Sequence, residues 1–335
     1  MTTPPPDVAP AVLDVLRRHT GNPELQYAEP PVRVSGGFWA DILAVRLEGA
    51  PPELDRDLIV RVMPEDEAAR REIVVHTQVA AQGFPAPAVR LTGDATAGLG
   101  RPFIVMDRAP GRPLIPELGA ASLLAHIPSI VRMPVRLARV AARLHALDPA
   151  PLRAAFAAAG EDRLVEVDGL LDRMTIWTSE FGRDDLASAV ERLRLRRPPR
   201  RREVVCHGDL QPFNVLVHRE HVTVIDWTAA LVAEPAYDLA YTALTISLAP
   251  VDAPRPVQAA AAAGGRAFSR RFLRVYQDLG GGSGLEEDTF AWYTALQTLR
   301  SLLDGARNLA AGAPHPFIAA APLLEARLAA YLDTS

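Results

Sequence analysis

Two patterns of apolar residues follow one another along the chain, and they predict two kinds of secondary structure. Between Val32 and Met106 the apolar residues form short runs rich in β-branched side chains: VRVS, WADILAVRL, DLIVRV, AVRLTG and PFIVM. Such runs are typical of strands, and we expect them to form a small antiparallel sheet. Within this half, EDEAARREIVVHTQVAAQG starts with acidic residues and ends at a glycine, which predicts one helix.

Longer stretches rich in Ala, Leu and Arg follow the segment DRAPGRP. The clearest are PVRLARVAARLHALD, RAFSRRFLRVYQDLG and EEDTFAWYTALQTLRSLLDGARNLA, whose apolar spacing predicts helices. The pattern therefore predicts an α+β protein with an N-terminal lobe over residues 1–108 and a larger, mainly helical C-terminal lobe over residues 109–335.

One stretch, HGDLQPFNVLVHREHVTVIDW, interrupts the helical half. VLVH and VTVID flank Arg219 and Glu220, which predicts two strands joined by a tight turn. Because the two arms are of similar length, we expect Asn214 and Asp226 to return to the same end, with Asp209 in the preceding loop. Such oxygen ligands suit Mg²⁺, and a further carboxylate can orient and accept the proton of an attacking hydroxyl. The stretch therefore predicts phosphoryl transfer.

Composition excludes several other chemistries. All 36 basic residues are arginine, so neither a GxxxxGK[ST] phosphate loop nor a lysine Schiff base is possible. The single cysteine, Cys206, excludes an internal disulfide, and we expect it to be a buried strand residue. The net charge of −4 gives no electrostatic reason to expect nucleic acid as a partner. With neither a signal-peptide pattern nor a membrane-spanning run, we expect a cytoplasmic protein.

The motif pair HGDLQPFN and VIDW resembles the aminoglycoside phosphotransferase family, kinase-like enzymes that phosphorylate antibiotics and other small alcohols. The resemblance extends from about Val32 to at least Thr245. It implies a two-lobed protein-kinase-like fold with Asp209 as the catalytic base and with Asn214 and Asp226 as Mg²⁺ ligands.

The same resemblance assigns supporting roles to further residues. His207 shapes the catalytic loop, and Asp238 in PAYDLAYT braces that loop from below. In the N-terminal lobe it implies a phosphate-covering turn, a phosphate-binding arginine in place of the usual lysine, a helix glutamate paired with that arginine, and a hinge that holds the base through its backbone. The phosphate-covering turn is formed by Ser35, Gly36 and Gly37, and the phosphate-binding arginine is Arg61. The paired glutamate is Glu72, and the hinge consists of Met106, Asp107, Arg108 and Ala109.

The acceptor is expected to bind in the helical lobe beyond Asp209. Candidate wall residues are Trp177, Glu180, Trp227, Tyr241 and Trp292, with Glu286, Glu287 and Asp288 as further acids. Clustered acids would suit a polyamine sugar, but aminoglycosides, macrolides and metabolic alcohols all stay open as acceptors. The arginine-rich run over residues 191–203 is interpreted as a solvated connection.

Three functions follow from these observations. The first is an ATP- or GTP-dependent O-phosphotransferase that acts on a small-molecule alcohol as a monomer or weak dimer. The second is a nucleotide-binding pseudokinase that regulates a partner, although retention of Asp209, Asn214 and Asp226 argues against it. The third is a metal-dependent hydrolase with His207, Asp209, Asp226 and Asp238 as ligands.

Overall fold

The computed structural model describes residues 8–34, 40–64, 66–115, 120–248, 255–281 and 285–334. The chain divides into two compact units. Unit 1 contains residues 1–111 and 218–228, and unit 2 contains residues 112–217 and 229–335. Sequence order alone does not suggest that residues 218–228 belong with the N-terminal unit.

The strands of the described residues are β1 (Gln26–Tyr27), β2 (Val32–Arg33), β3 (Asp41–Val45), β4 (Leu47–Glu48), β5 (Leu58–Val62), β6 (Val89–Gly93), β7 (Phe103–Asp107), β8 (Arg112–Pro113), β9 (Val204–Cys206), β10 (Val215–His218), β11 (His221–Val224) and β12 (Leu231–Ala233). The α-helices are α1 (Ala9–Thr20), α2 (Asp66–Ala81), α3 (Ala120–Leu144), α4 (Ala150–Ala158), α5 (Val167–Glu180), α6 (Ala187–Leu195), α7 (Ala236–Ser247), α8 (Arg255–Tyr276), α9 (Glu287–Ala310) and α10 (Pro316–Thr334).

Unit 1 is built on a five-stranded antiparallel sheet with the strand order β2-β3-β5-β7-β6. Successive side chains of a strand point to opposite faces. Phe103 and Val105 accordingly join the core that includes α1, whereas Ile104 and Met106 join the core that includes α2. Because both faces are covered, the strands appear in the sequence as nearly continuous apolar runs rather than strict alternations.

Unit 2 is mainly helical. Its largest core contains residues of α5, α6, α7, α9 and α10, together with β9 and β12. These two strands pair antiparallel, with Cys206 opposite Leu231, and β8 pairs with part of β10. Burying an aliphatic side chain fully contributes roughly 1.5 to 3 kcal/mol, and this core includes fully buried Leu296, Leu299 and Leu303. The helix α9 is therefore the centre of unit 2.

The arginine-rich run connects α6 to β9 and is partly exposed, and its side chains also pair with neighbouring groups. Arg197 and Arg200 both pair with Asp168, and Arg194 pairs with Asp172. Arg192 and Arg196 donate to the carbonyl of Leu332 near the end of α10, while Arg201 pairs with Glu286 and Arg202 donates to the carbonyl of His145. Besides being solvated, the run therefore links α6 and the following segment to neighbouring elements of unit 2 by charge-assisted hydrogen bonds.

The predicted strand runs appear as β2, β3, β5, β6 and β7, and the predicted helix appears as α2, followed by Gly83 with a positive φ of 74°. Strands β10 and β11 stand where VLVH and VTVID predict them. None of the helices in the described ranges combines the length and apolar character that a membrane span requires.

Candidate active site

Arg61 and Glu72 meet in unit 1 because of strand alternation. Val60 and Val62 of β5 point into the core with α1, so Arg61 between them points to the face that α2 covers. Its NH1 donates to Glu72 Oε1 at 2.8 Å, and its NH2 donates to Asp226 Oδ1 at 3.3 Å. The Arg61 and Glu72 side chains are 8% and 0% exposed, so the pair is shielded from solvent screening.

This buried group carries a permanent positive charge. Burial alone would lower the pKa of Arg61, but the Asp226 and Glu72 carboxylates raise it above its ordinary value. Burial also raises the pKa of Glu72 to about 7, although the Arg61 guanidinium opposes that rise. A charged guanidinium presents a fork of donors that matches a phosphate or carboxylate. Unit 1 therefore holds a buried guanidinium on strand β5, where two carboxylates fix its position.

Asp226 occupies a backbone conformation that is uncommon for residues other than glycine. Its φ is 68°, in the left-handed region. Thr228 Oγ1 donates to Asp226 Oδ1 at 2.8 Å, and the side chain is 32% exposed. Backbone strain of this kind persists where the surrounding structure imposes it, frequently at functional sites. Asp226 thus presents a partly exposed carboxylate with a defined direction.

Backbone N–H groups at the end of β7 and just after it differ in their hydrogen bonding. The N–H of Asp107 donates to the carbonyl of Ala88, and the N–H of Arg108 donates to the carbonyl of Asp57, both at 2.9 Å. Ala109 makes no such bond within the described part of the chain. Of the predicted hinge residues, Met106 is buried in the α2 core. The predicted phosphate-covering residues Ser35, Gly36 and Gly37 lie outside the described residues.

In unit 2, Asp238 of α7 holds the loop that precedes Asp209. Its Oδ2 accepts from the N–H of His207 at 2.9 Å, and its Oδ1 accepts from the N–H of Gly208 at 2.6 Å. The residue is completely buried. Burial acts to raise the pKa of Asp238, but the hydrogen bonds from His145 and from the N–H of His207 help to lower that pKa below its ordinary value. Asp238 is therefore an ionised, buried anchor.

His145, which directly follows α3, contacts the Asp238 carboxylate. Its Nε2 lies 3.1 Å from Asp238 Oδ2, and its Nδ1 lies 2.7 Å from the hydroxyl of Tyr276. If Nε2 carries the proton and donates to the carboxylate, Nδ1 accepts from the Tyr276 hydroxyl. Burial raises the pKa of Tyr276, which keeps this hydroxyl protonated. The arrangement orients the His145 ring toward Asp238.

Asp209 itself is held by side chains of its own loop. Gln211 Nε2 donates to both carboxylate oxygens, at 2.9 and 3.2 Å. Asn214 Nδ2 donates to Asp209 Oδ2 at 2.7 Å and to the Asp209 carbonyl at 2.9 Å. Because the Asn214 amide nitrogen is committed to Asp209, its amide oxygen is the group left for a metal ion.

Gly208 permits the tight turn that this loop requires. Its φ is 76°, and a Cβ at this position would lie 2.0 Å from the carbonyl oxygen of Ala229. A side chain is therefore excluded both by conformation and by contact. Glycine in HGD, where a kinase-like loop has arginine, is a structural requirement of this turn.

The predicted acceptor residues do not all reach the site. Trp227 is fully buried against Phe84 in unit 1, and Trp292 is fully buried and donates its indole N–H to the carbonyl of Leu193. Neither offers surface to a substrate, so both predictions are wrong. For Tyr241, by contrast, burial and the charge of the nearby Asp209 raise the pKa well above its usual range.

Of the other acceptor candidates, Trp177 is half-buried beside Phe181, and Glu180 is exposed at the end of α5. Glu286 pairs with Arg201, so at least this acid is neutralised by a partner within unit 2. The described contacts thus give no support to an acidic wall built from Glu286.

The hydrolase alternative conflicts with the bonding of Asp238. Both of its oxygens already accept backbone N–H groups, and His145 takes a further position. Within the described ranges, the only group of three or more His, Cys, Asp or Glu residues with metal-ligand spacing is His145, Cys206 and Asp238. Burial raises the pKa of the Cys206 thiol well above its usual range, so it stays protonated and is a poor metal ligand.

Sequence reasoning missed several residues that support the loop, among them Gln211 and His145. Gln211 stands two positions after Asp209, and its proximity could have indicated a hydrogen bond. His145 precedes Asp238 by 93 residues and carries no local motif signal. Only the packing of α3 against the rest of unit 2 brings it there.

Comparisons with known proteins find similar sequences and similar folds. A family model described as the phosphotransferase enzyme family matches residues 37–276. Among curated proteins, acyl-CoA dehydrogenase family member 10 of Mus musculus is 26% identical over 213 residues, which is 58% of this chain and 19% of that protein. The chain therefore spans about a fifth of the length of the mouse relative.

Two solved structures illustrate the fold. A thermostable mutant of aminoglycoside phosphotransferase APH(4)-Ia, in a ternary complex with AMP-PNP and hygromycin B, gives a TM-score of 0.56 at 20% identity, over 98% of this chain and 99% of that one. An ethanolamine kinase of Plasmodium vivax gives a TM-score of 0.58 at 14% identity, over 92% and 82% of the two chains. At these identities the likeness shows the fold alone, and it confirms the predicted kinase-like α+β class.

Proposed function

The chain belongs to the phosphotransferase enzyme family, and we propose that it moves the γ-phosphoryl group of ATP or GTP to a hydroxyl of a small molecule. The observation that carries this proposal is the bonding of the loop over residues 207–214. Asp238 anchors the backbone, while Gln211 and Asn214 orient the Asp209 carboxylate. A carboxylate fixed in this way suits the positioning of an attacking hydroxyl.

Asp209 is the proposed catalytic base. A general base needs a defined direction as well as a proton affinity, and three hydrogen bonds from Gln211 and Asn214 give the carboxylate that direction. Asp209 would orient the acceptor hydroxyl and take its proton as the phosphoryl group transfers. The Asp238 carboxylate and His207 support the loop without touching substrate.

Asn214 and Asp226 are the proposed Mg²⁺ ligands. Their groups fit the ion, because an amide oxygen and a carboxylate are hard donors that Mg²⁺ accepts. Bound Mg²⁺ would neutralise negative charge on the phosphates. The commitment of the Asn214 amide nitrogen to Asp209 and the imposed conformation of Asp226 both support these roles.

Arg61 is the proposed partner of the nucleotide phosphates, and Glu72 holds its guanidinium in place. Arginine keeps its charge at every physiological pH, so the absence of lysine from the sequence is no obstacle. We propose that the N–H of Ala109 binds the nucleotide base, since the N–H groups of Asp107 and Arg108 are already bonded. Ser35, Gly36 and Gly37 are proposed to cover the phosphates.

The acceptor is proposed to be a small-molecule alcohol. Structural relatives include a hygromycin B complex and an ethanolamine kinase, so both antibiotic and metabolic alcohols are reasonable acceptors for this chain. Trp177 and Glu180 stay proposed wall residues. We place the reaction in the cytoplasm, where nucleoside triphosphates are abundant and Cys206 stays reduced.

A mass-spectrometric screen tests this proposal. Purified protein, Mg²⁺ and either ATP or GTP are incubated with a panel of aminoglycosides, macrolides, nucleosides and metabolic alcohols, and each compound is examined for a phosphoryl mass gain. We expect a product that disappears with Asp209→Asn. Nucleotide binding without any transfer or nucleotide hydrolysis would favour the pseudokinase, and failure to bind nucleotide would contradict the proposal.

A further inference from the structure

Arg300, on the central helix α9, is a buried cation that sequence reasoning did not connect with the catalytic loop. The residue is 5% exposed, and its NH2 donates to the carbonyl of Gly208 at 2.7 Å. NH1 donates to the hydroxyl of Tyr237 at 2.9 Å, and Nε lies 3.7 Å from the Asp304 carboxylate. Its positive charge is therefore surrounded by acceptors.

The bond to Gly208 acts on the peptide group that leads into Asp209. The carbonyl of Gly208 and the N–H of Asp209 belong to one planar peptide unit. Arg300 holds the oxygen of that unit, and His207 Nδ1 accepts its N–H at 3.2 Å. Asp238 holds the preceding unit through the N–H of Gly208. The backbone on the N-terminal side of Asp209 is thus held at two successive peptide groups.

Two aromatic residues of α7 also contact the Arg300 guanidinium. The guanidinium carbon lies 4.7 Å from the ring centre of Tyr241 and 5.9 Å from that of Tyr237. Such stacking stabilises the cation and fixes the ring. Burial together with the Asp209 charge raises the pKa of Tyr241 well above its usual range, so this phenol stays protonated.

We propose that Arg300 is a positioning residue for phosphoryl transfer: it holds the Gly208 carbonyl, and through that peptide group it fixes the backbone that presents Asp209, while it also packs on the Tyr241 ring. The proposal rests on the assignment of Asp209 as the base. It also reinterprets Tyr241, which belongs to the support of the base rather than to the acceptor wall.

The test compares Arg300→Met and Arg300→Lys with wild type, and Arg307→Met on the same helix is the matched control. The reaction is release of inorganic phosphate from ATP or GTP with Mg²⁺, in which water takes the place of the acceptor. A displacement of about 1 Å at a reacting group costs up to about 100-fold in rate. We expect Arg300→Met to lower kcat by about 10- to 100-fold, with the nucleotide KM changed less than about threefold.

Arg300→Lys provides the rescue. One ammonium can donate to the Gly208 carbonyl, but it lacks the planar fork that also bonds Tyr237 and stacks on Tyr241. We therefore expect an intermediate kcat. This variant also keeps a buried positive charge, so it replaces Arg300→Met in the comparison if Arg300→Met does not fold. Equal kcat values for Arg300→Lys, Arg307→Met and wild type would overturn the proposal.

A double-mutant cycle separates an effect of Arg300 on the position of Asp209 from an effect on folding stability alone. If Arg300 acts through Asp209, then Arg300→Met should reduce the residual rate of Asp209→Asn by less than about twofold. Hydrogen exchange of the peptide over residues 204–215 gives a readout that does not depend on turnover, and we expect faster exchange in Arg300→Met than in Arg307→Met. Additive losses with unchanged exchange would contradict the positioning role.

The two assignments fail in different ways. If wild type neither binds nucleotide nor releases phosphate, the proposed function is wrong, and the positioning role is overturned with it. If wild type is active but the Arg300 variants match it per folded molecule, only the positioning role is wrong.

Discussion

Replacing Asp238 by asparagine tests how the catalytic loop is held. The carboxylate accepts three hydrogen bonds: from the N–H of His207, from the N–H of Gly208 and from His145 Nε2. Asparagine keeps the shape but exchanges one oxygen for an NH₂ group. Whichever way the amide is turned, that group must face at least one of these donors.

The expected loss follows from this bonding. A hydrogen bond to a charged group contributes about 1.5 to 3 kcal/mol, and a neutral one about 1 kcal/mol. At least one bond of the first kind is lost, and the remaining bonds of Asp238 become neutral. Because the site is completely buried, water cannot replace the missing acceptor. We therefore expect Asp238→Asn to lower the free energy of unfolding by about 3 to 5 kcal/mol.

Urea unfolding followed by tryptophan fluorescence measures this loss, and Asp185→Asn is the control. Asp185 pairs with Arg183 at the surface of unit 2, so its substitution should change stability by less than about 1 kcal/mol. The lowered pKa of Asp238 sets the pH dependence. Its stabilising contribution is present above the unfolded-state pKa of about 4 and is lost as pH falls through the folded-state value.

Two outcomes would refute this reasoning. One is a loss below about 1 kcal/mol for Asp238→Asn at pH 7, which would mean that the loop does not depend on the carboxylate. The other is a difference between variant and wild type that stays constant below pH 4, because the protonated aspartic acid should then resemble asparagine.

Two further substitutions test other parts of the account. Gly208→Ala should destabilise the protein by more than about 2 kcal/mol, since a Cβ would meet the Ala229 carbonyl. The control Gly312→Ala has a similar φ of 67° but open space around it, so it should cost about 1 kcal/mol of stability. Equal losses of stability in the two variants would contradict the role of the Ala229 contact. Burial raises the pKa of Glu72 to about 7, so the folded protein holds this proton more tightly than the unfolded chain does. As pH rises from 5 to 8, the free energy of unfolding of wild type should therefore fall by up to about 3 kcal/mol relative to that of Glu72→Gln. Parallel pH profiles of unfolding would show that Glu72 is ionised throughout.

The fold was predictable where local pattern and packing agree. The strands β3, β5 and β7 have nearly continuous apolar runs because both faces of their sheet are covered. The helix α2 has an acidic start and ends near Gly83, so its limits are visible in the sequence. The two-residue strands β1 and β4 have too few residues for any periodicity, and they exist only because they pair with each other.

The site was predictable where residues share a short motif. Asp209 and Asn214 stand five positions apart, and the structure joins them by hydrogen bonds. Arg300 lies 92 residues from Gly208 and has no motif, so only the packing of α9 reveals it. Aromatic residues were the least reliable guide to the acceptor site. A sequence does not distinguish a tryptophan that lines a pocket from one that fills a core, as Trp292 does.

A single-turnover comparison decides whether Asp209 is the base of a nucleotide-dependent phosphoryl transfer. Wild type and Asp209→Asn are mixed with labelled nucleotide, Mg²⁺ and the acceptor found by screening, and nucleotide affinity is measured on the same samples. We expect the transfer rate to fall by at least about 100-fold, with the nucleotide Kd changed less than about threefold. A variant that transfers phosphoryl at the wild-type rate would contradict the account.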